Sequence, residues 1–240
     1  MDSLAVTSLA GLWDQLSGTQ SDPDVWVVIA TLAAALAVVV PHPVWRISRN
    51  AVTIAHEGGH GLVALLTGRQ LTGIRLHSDT SGLTVSRGKP YGPGMILTAA
   101  AGYTAPSLLG LGGAALLSSG RITLLLWLAT ALLLVMLVMI RNAYGVLTVV
   151  LAGGAFVLVS WLAGSQVQAA FAYAVVWFLL LGGVRPPFEL QAKRMRGGAG
   201  DSDADQLSRL THVPAGLWLF LFHAVSLCSL LGGGRWLLEG

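Results

Sequence analysis

The chain has 240 residues, 54% of them hydrophobic and 10% charged, with a formal net charge of +3. A soluble domain carries roughly a quarter charged residues, so these figures exclude an ordinary water-soluble globule and describe a polytopic membrane protein. The basic residues sit in short flanking loops without interleaved aromatics, which excludes a nucleic-acid interface.

Seven apolar runs match the roughly 20 residues of a membrane-crossing helix, at 25–44, 49–67, 94–117, 122–140, 144–163, 169–184 and 213–231. They predict an all-α fold of about six to seven transmembrane helices, with one or two runs re-entrant. The polar segment 1–24 that precedes them has Asp2, Asp14, Asp22 and Asp24 as its only charges. It lacks the basic region of a secretory signal, so the first run is expected to be retained.

The second run reads TIAHEGGHGLVALLTG from Thr53. His56, Glu57 and His60 fit His-Glu-x-x-His, a pattern that binds metal when it lies on a helix. Residues four apart share a helical face, so two imidazoles there converge on one zinc ion, while Glu57, about 100° around the helix, serves as a general base rather than a ligand. Ionisable residues at membrane depth mark functional sites by default. Gly58 and Gly59 leave bare backbone on which a substrate would approach.

After this run, 70–90 alternates Ile74, Leu76, Leu83 and Val85 with polar residues around Asp79-Thr80-Ser81-Gly82, which predicts a β-hairpin. As an edge strand, the limb carrying Leu83 and Val85 would pair with an unwound substrate. Further on, Gly102-Tyr103 and Leu111-Gly112-Gly113-Ala114 predict close helix packing, and Arg141-Asn142 an interfacial anchor. Cys228 stands alone in the last apolar run, where it reads as a small buried hydrophobe.

The polar loop expected at 185–212 falls below the roughly 40 residues that a separate domain needs, so residues 1–240 form one membrane-embedded domain. At its end, GDSDADQL opens the last helix, which is expected to continue past Pro214 with a kink. Ser202 fits an N-cap and Asp205 the N3 position of a capping box, leaving Asp203 without a capping duty. His223 is the rival third ligand. On one helix it lies about 30 Å from Asp203, so the two cannot share a metal.

With all seven runs crossing, Arg69, Arg75, Arg87, Lys89, Arg141, Arg185, Lys193, Arg194, Arg196 and Arg209 share one side, and Arg46, Arg49, Arg121 and Arg235 the other. Positive charge then places the N-terminus in the cytoplasm and the C-terminus outside, most simply in the cell membrane.

The stretches VTIAHEGGHGLVALLTGR, GIRLHSDTSGLTVSRGKP, AAAGYTAPSLLG, RNAYG and SDADQLSRLTHVPAGLW, in this order, resemble the site-2 protease-like intramembrane zinc metallopeptidases, in the compact branch without a PDZ domain. The Asn-x-x-Pro-x-x-x-Leu-Asp-Gly pattern of other members is absent. The resemblance implies zinc held by His56, His60 and Asp203, with Glu57 activating water. It also implies hydrolysis of peptide bonds in a membrane-protein substrate within or near the lipid bilayer. A transporter or a non-catalytic metal-binding membrane protein is the alternative. It predicts polar residues along several runs, whereas ionisable groups here are confined almost entirely to 56–60 and His223. A serine protease lacks a convincing serine–histidine pair.

Overall fold

A computed structural model describes residues 18–198 and 200–239. Most of the polar segment 1–24 therefore lies outside the described residues. The elements are α1 (Val25–Val39), α2 (His42–Leu66), β1 (Gln70–Leu76), β2 (Gly82–Arg87), α3 (Pro93–Leu117), α4 (Ile122–Met139), α5 (Ala143–Leu162), α6 (Ser165–Met195), α7 (Asp203–Thr211) and α8 (Ala215–Glu239). This is the expected all-α polytopic architecture with a hairpin after the helix that carries His56 and His60.

Among the described residues, α3, α4, α5, α6 and α8 are each long and apolar enough to cross a bilayer, and α1 with α2 forms a pair bent by 104°. Pro41 and Pro43 cause the break, because proline has no N–H to donate and disfavours helix in the residue before it. Pro41 is extended, and α2 begins directly after it. The two limbs make one crossing. Gln20 bonds Gly120, Thr123 and Gln168 at one end of the bundle, whereas Thr67, just beyond α2, packs beside Gly94 at the opposite end of α3.

The runs at 25–44 and 49–67 thus read as one broken span, which gives up to six spans rather than seven among the described residues. This corrects the premise of the charge argument. Arg49 pairs with Glu189 of α6, so it joins the ten basic residues on the hairpin side, and Gln20 lies at the end opposite them.

Two other expectations change. The segment 185–212 is largely helical: α6 runs through Pro186 and Pro187 to Met195, with Lys193 and Arg194 in its last turn, where cations complement the helix dipole. Leu190 explains the extension, since it packs with Ala204, Leu207 and Phe222 in a core that joins α6, α7 and α8. The helix from Asp203 does not continue through Pro214. It stops at Thr211, and His212 turns the chain with a left-handed backbone (φ 59°). Cys228 faces outward on α8 rather than into the core.

A second core of Ala114, Leu117, Leu126, Ala172, Val176 and Leu180 holds α3, α4 and α6 together. Bare backbone sets the spacing in places: a Cβ on Gly183 would strike Ser107, and one on Gly113 would strike Val176. The outer faces of α4 and α5 expose Val135, Val138, Leu147 and Leu151, as lipid-facing helices do.

Candidate metal centre

One turn of α2 separates His56 from His60, and their Nε2 atoms lie 3.2 Å apart. Asp203 Oδ2, from the first turn of α7, lies 3.2 Å from each of them. These three residues are the group of metal-binding type found among the described residues. A tetrahedral zinc with ligand bonds of about 2.0–2.1 Å spaces its ligand atoms about 3.3 Å apart. The observed triangle fits that ion.

The protonation pattern points the same way. His60 Nδ1 lies 2.6 Å from the Thr98 carbonyl oxygen. A carbonyl only accepts, so Nδ1 carries the hydrogen of the neutral ring and the Nε2 lone pair faces the centre. Asp203 Oδ2 is buried without a hydrogen bond. Acceptor atoms turned towards one another in this way need a cation between them.

The aspartate trio divides by local structure. Ser202 and Asp205 form the expected capping box, and Arg194 lies 2.5 Å from Asp205. Burial works against the Asp205 charge, yet Arg194 and Ser202 hold its carboxyl below the usual value. Asp201 is exposed and pairs with Arg209 at 3.0 Å. Asp203 alone reaches the histidines, because Ala204 and Leu207, both fully buried, dock α7 against α3, α6 and α8. His223 takes no part: its Nε2 bonds Gln191 at 2.8 Å and its ring lies on Phe188. His77 and Asp79 stay in the hairpin turn with Ser81.

Gly102 makes the approach of α3 possible. A Cβ there would land on the Nε2 atoms of both His56 and His60. Gly102→Ala is therefore expected to reduce bound metal severely while α3 stays helical, as metal analysis beside circular dichroism would report. Tyr103 then lies edge-on to His56 and stacks on Phe222.

Gly58 and Gly59 do not face the centre. A Cβ on Gly59 would strike Ala105 on α3, and one on Gly58 would rest against Met136 on α4. Positions two and three beyond His56 point to other sides of the helix. Helix packing requires Gly59 to be small, whereas a Cβ at Gly58 would make an ordinary contact.

Glu57 is 5% exposed, and its Oε2 accepts a 2.7 Å hydrogen bond from Thr84 Oγ1. A Cβ on Gly82 would collide with the Glu57 side chain. Gly82 and Thr84 thus face α2, and the alternation of the strand turns Leu83 and Val85, 52% and 43% exposed, the other way. Leu83 and Val85, the residues expected beside a paired substrate, thus lie on the outward face, and Gly82 and Thr84 on the inward one. Both types alternate in sequence, and only the packing of the hairpin on α2 says which face is inside.

The hairpin has one closed edge and one open edge. Asn142 bonds both the N–H and the carbonyl of Leu76, and Arg141 N–H donates to the Ile74 carbonyl. Residues 74 and 76 thus turn their backbone polar groups away from β2, while the Gly73–Val85 and Arg75–Leu83 pairs bond across the ladder. The N–H and carbonyl groups of Gly82, Thr84 and Ser86 consequently point to the outer edge of β2, where no backbone partner occurs among the described residues. That edge begins beside Glu57.

The Peptidase M50B-like family matches residues 29–233, and the chain belongs to that family. Nothing matches among curated proteins or solved structures.

Proposed function

We propose that the protein is a membrane-embedded zinc metallopeptidase that hydrolyses peptide bonds of membrane-associated proteins. The observation that carries this reading is the convergence of His56, His60 and Asp203 beside a buried glutamate. Those three residues would hold zinc, whose chemistry when bound is to polarise a carbonyl and to acidify water. Glu57 would take the proton of the attacking water and deliver it to the leaving nitrogen. A purely metal-binding protein has no use for that carboxylate.

The substrate reaches Glu57 as a strand. A transmembrane helix keeps its peptide bonds in internal hydrogen bonds, so it must unwind before attack. The open edge at Gly82, Thr84 and Ser86 offers the backbone partners for that extended state. The hairpin side, richest in Arg and Lys, would face the cytoplasm of a cell membrane.

Thr84 acts through Glu57, by holding Oε2 and leaving Oε1 for proton transfer. A hydrogen bond to a charged group contributes about 1.5–3 kcal/mol. Thr84→Val is therefore expected to lower kcat about 10- to 100-fold, with metal content unchanged. The function itself is tested with purified protein in liposomes that carry a transmembrane peptide. Cleavage should stop on treatment with a chelator and return on addition of zinc; cleavage indifferent to the chelator would overturn the proposal.

A further inference from the structure

At the end of the bundle where α6 leaves the membrane, a cavity of about 660 Å³ lies between α2, the hairpin turn and the last turns of α6. Its floor is a tied ionic knot. Glu189 accepts from Trp45 Nε1 at 2.7 Å and from Arg185 Nε at 3.0 Å, and pairs with Arg49 at 3.4 Å. Arg185 also donates to the carbonyls of Val39 and Val40 and lies over the Trp45 ring, 5.0 Å from its centroid. One carboxylate thus serves two guanidinium groups.

Three further cations line the same cavity: Arg46 from α2, and Lys193 and Arg196 from the end of α6. Their side chains are exposed and have no hydrogen-bond or ion-pair partner among the described residues. With Asp79 as the other acid on the lining, five fixed positive charges face two negative ones. A concave site with uncompensated cations at the level of the membrane surface attracts anions.

We infer that this cavity binds the phosphate headgroup of an anionic phospholipid. Hydrocarbon lies next to the charges: Val40, 66% exposed, is the residue whose carbonyl Arg185 holds, and Phe188, 48% exposed, is on the cavity lining itself. That pairing of bases with exposed apolar groups suits a lipid better than an inorganic anion. An acidic peptide leaving the β2 edge fits worse, since it would meet the Asp79 carboxylate in the turn before it reached the bases. A lipid here ties the bend between α1 and α2 to α6, and so supports the limb that carries His56 and His60. The inference is independent of the metal reading.

The test uses the full chain in nanodiscs of phosphatidylcholine, titrated with phosphatidylglycerol. Thermal unfolding and native mass spectrometry serve as readouts. Phosphatidylglycerol should be retained and should raise the Tm. The triple variant Arg46→Gln/Lys193→Gln/Arg196→Gln should bind it about 100-fold more weakly, at about fivefold for each basic residue near a membrane surface. Arg121→Gln, at the other end of the bundle, should bind as wild type. Should the triple variant lose helicity by circular dichroism, Arg46→Gln and Lys193→Gln singly should each show the fivefold step. Wild-type binding by the folded variants, equal retention of phosphatidylcholine, or an equal Tm gain from inorganic phosphate would each overturn the lipid site.

Discussion

Glu57→Gln should leave zinc content unchanged and lower peptide hydrolysis by about 10²- to 10⁴-fold, the range that general acid–base groups contribute. The substitution is nearly isosteric, and it keeps the Thr84 hydrogen bond because an amide oxygen also accepts. It removes only the capacity to take a proton. The separation of metal content from rate is what marks a base beside the metal rather than a ligand on it. Equal cleavage by wild type and variant would remove Glu57 from the chemistry.

Asp203→Ala should abolish both. Loss of an outer-shell partner of a metal ligand typically costs 10- to 100-fold in affinity, so loss of a ligand itself is expected to exceed about 100-fold. Two imidazoles on one helix would remain, with Nε2 atoms 3.2 Å apart and no third ligand to close the triangle. Asp201→Ala and Asp205→Ala are the controls. Asp201 is exposed and pairs with Arg209. Asp205 caps α7 and meets Arg194, so its loss weakens the cap by about 1 kcal/mol and leaves the metal in place. Retention of metal by all three variants would reopen the question of the third ligand.

The parts of the site that repeat with helical period could be read from the chain. His56, Glu57 and His60 are such a case, because four-residue spacing fixes a shared face without knowledge of tertiary structure. The capping duties of Ser202 and Asp205 are also local, and they isolate Asp203; the resemblance to site-2 protease-like peptidases then assigns it to the metal. Thr84 and Gly82 were not legible, since a two-residue alternation does not say which face meets α2. Gly59 is ambiguous for a similar reason: a small residue suits either a substrate or a neighbouring helix, and in the fold Ala105 lies against it.

The fold shows the same division. Apolar runs locate helices, but hydropathy averages over a window and does not register a sharp turn. Pro41 and Pro43 mark the break between α1 and α2 in plain view, yet the two limbs become one crossing only through Gln20 at one end and Thr67 at the other. The helical extension of α6 to Met195 depends on Leu190 finding Ala204 and Leu207, a contact between segments that a polar composition conceals.

The central claim is that one zinc ion is held by two imidazoles and one carboxylate supplied from two distant segments. X-ray absorption at the zinc edge on the purified protein tests it most directly. The account predicts one zinc per chain with nitrogen and oxygen neighbours at about 2.0–2.1 Å, and loss of an imidazole contribution in His60→Ala. A sulfur shell near 2.3 Å, an unchanged spectrum in His60→Ala, or no zinc in the wild type would contradict it.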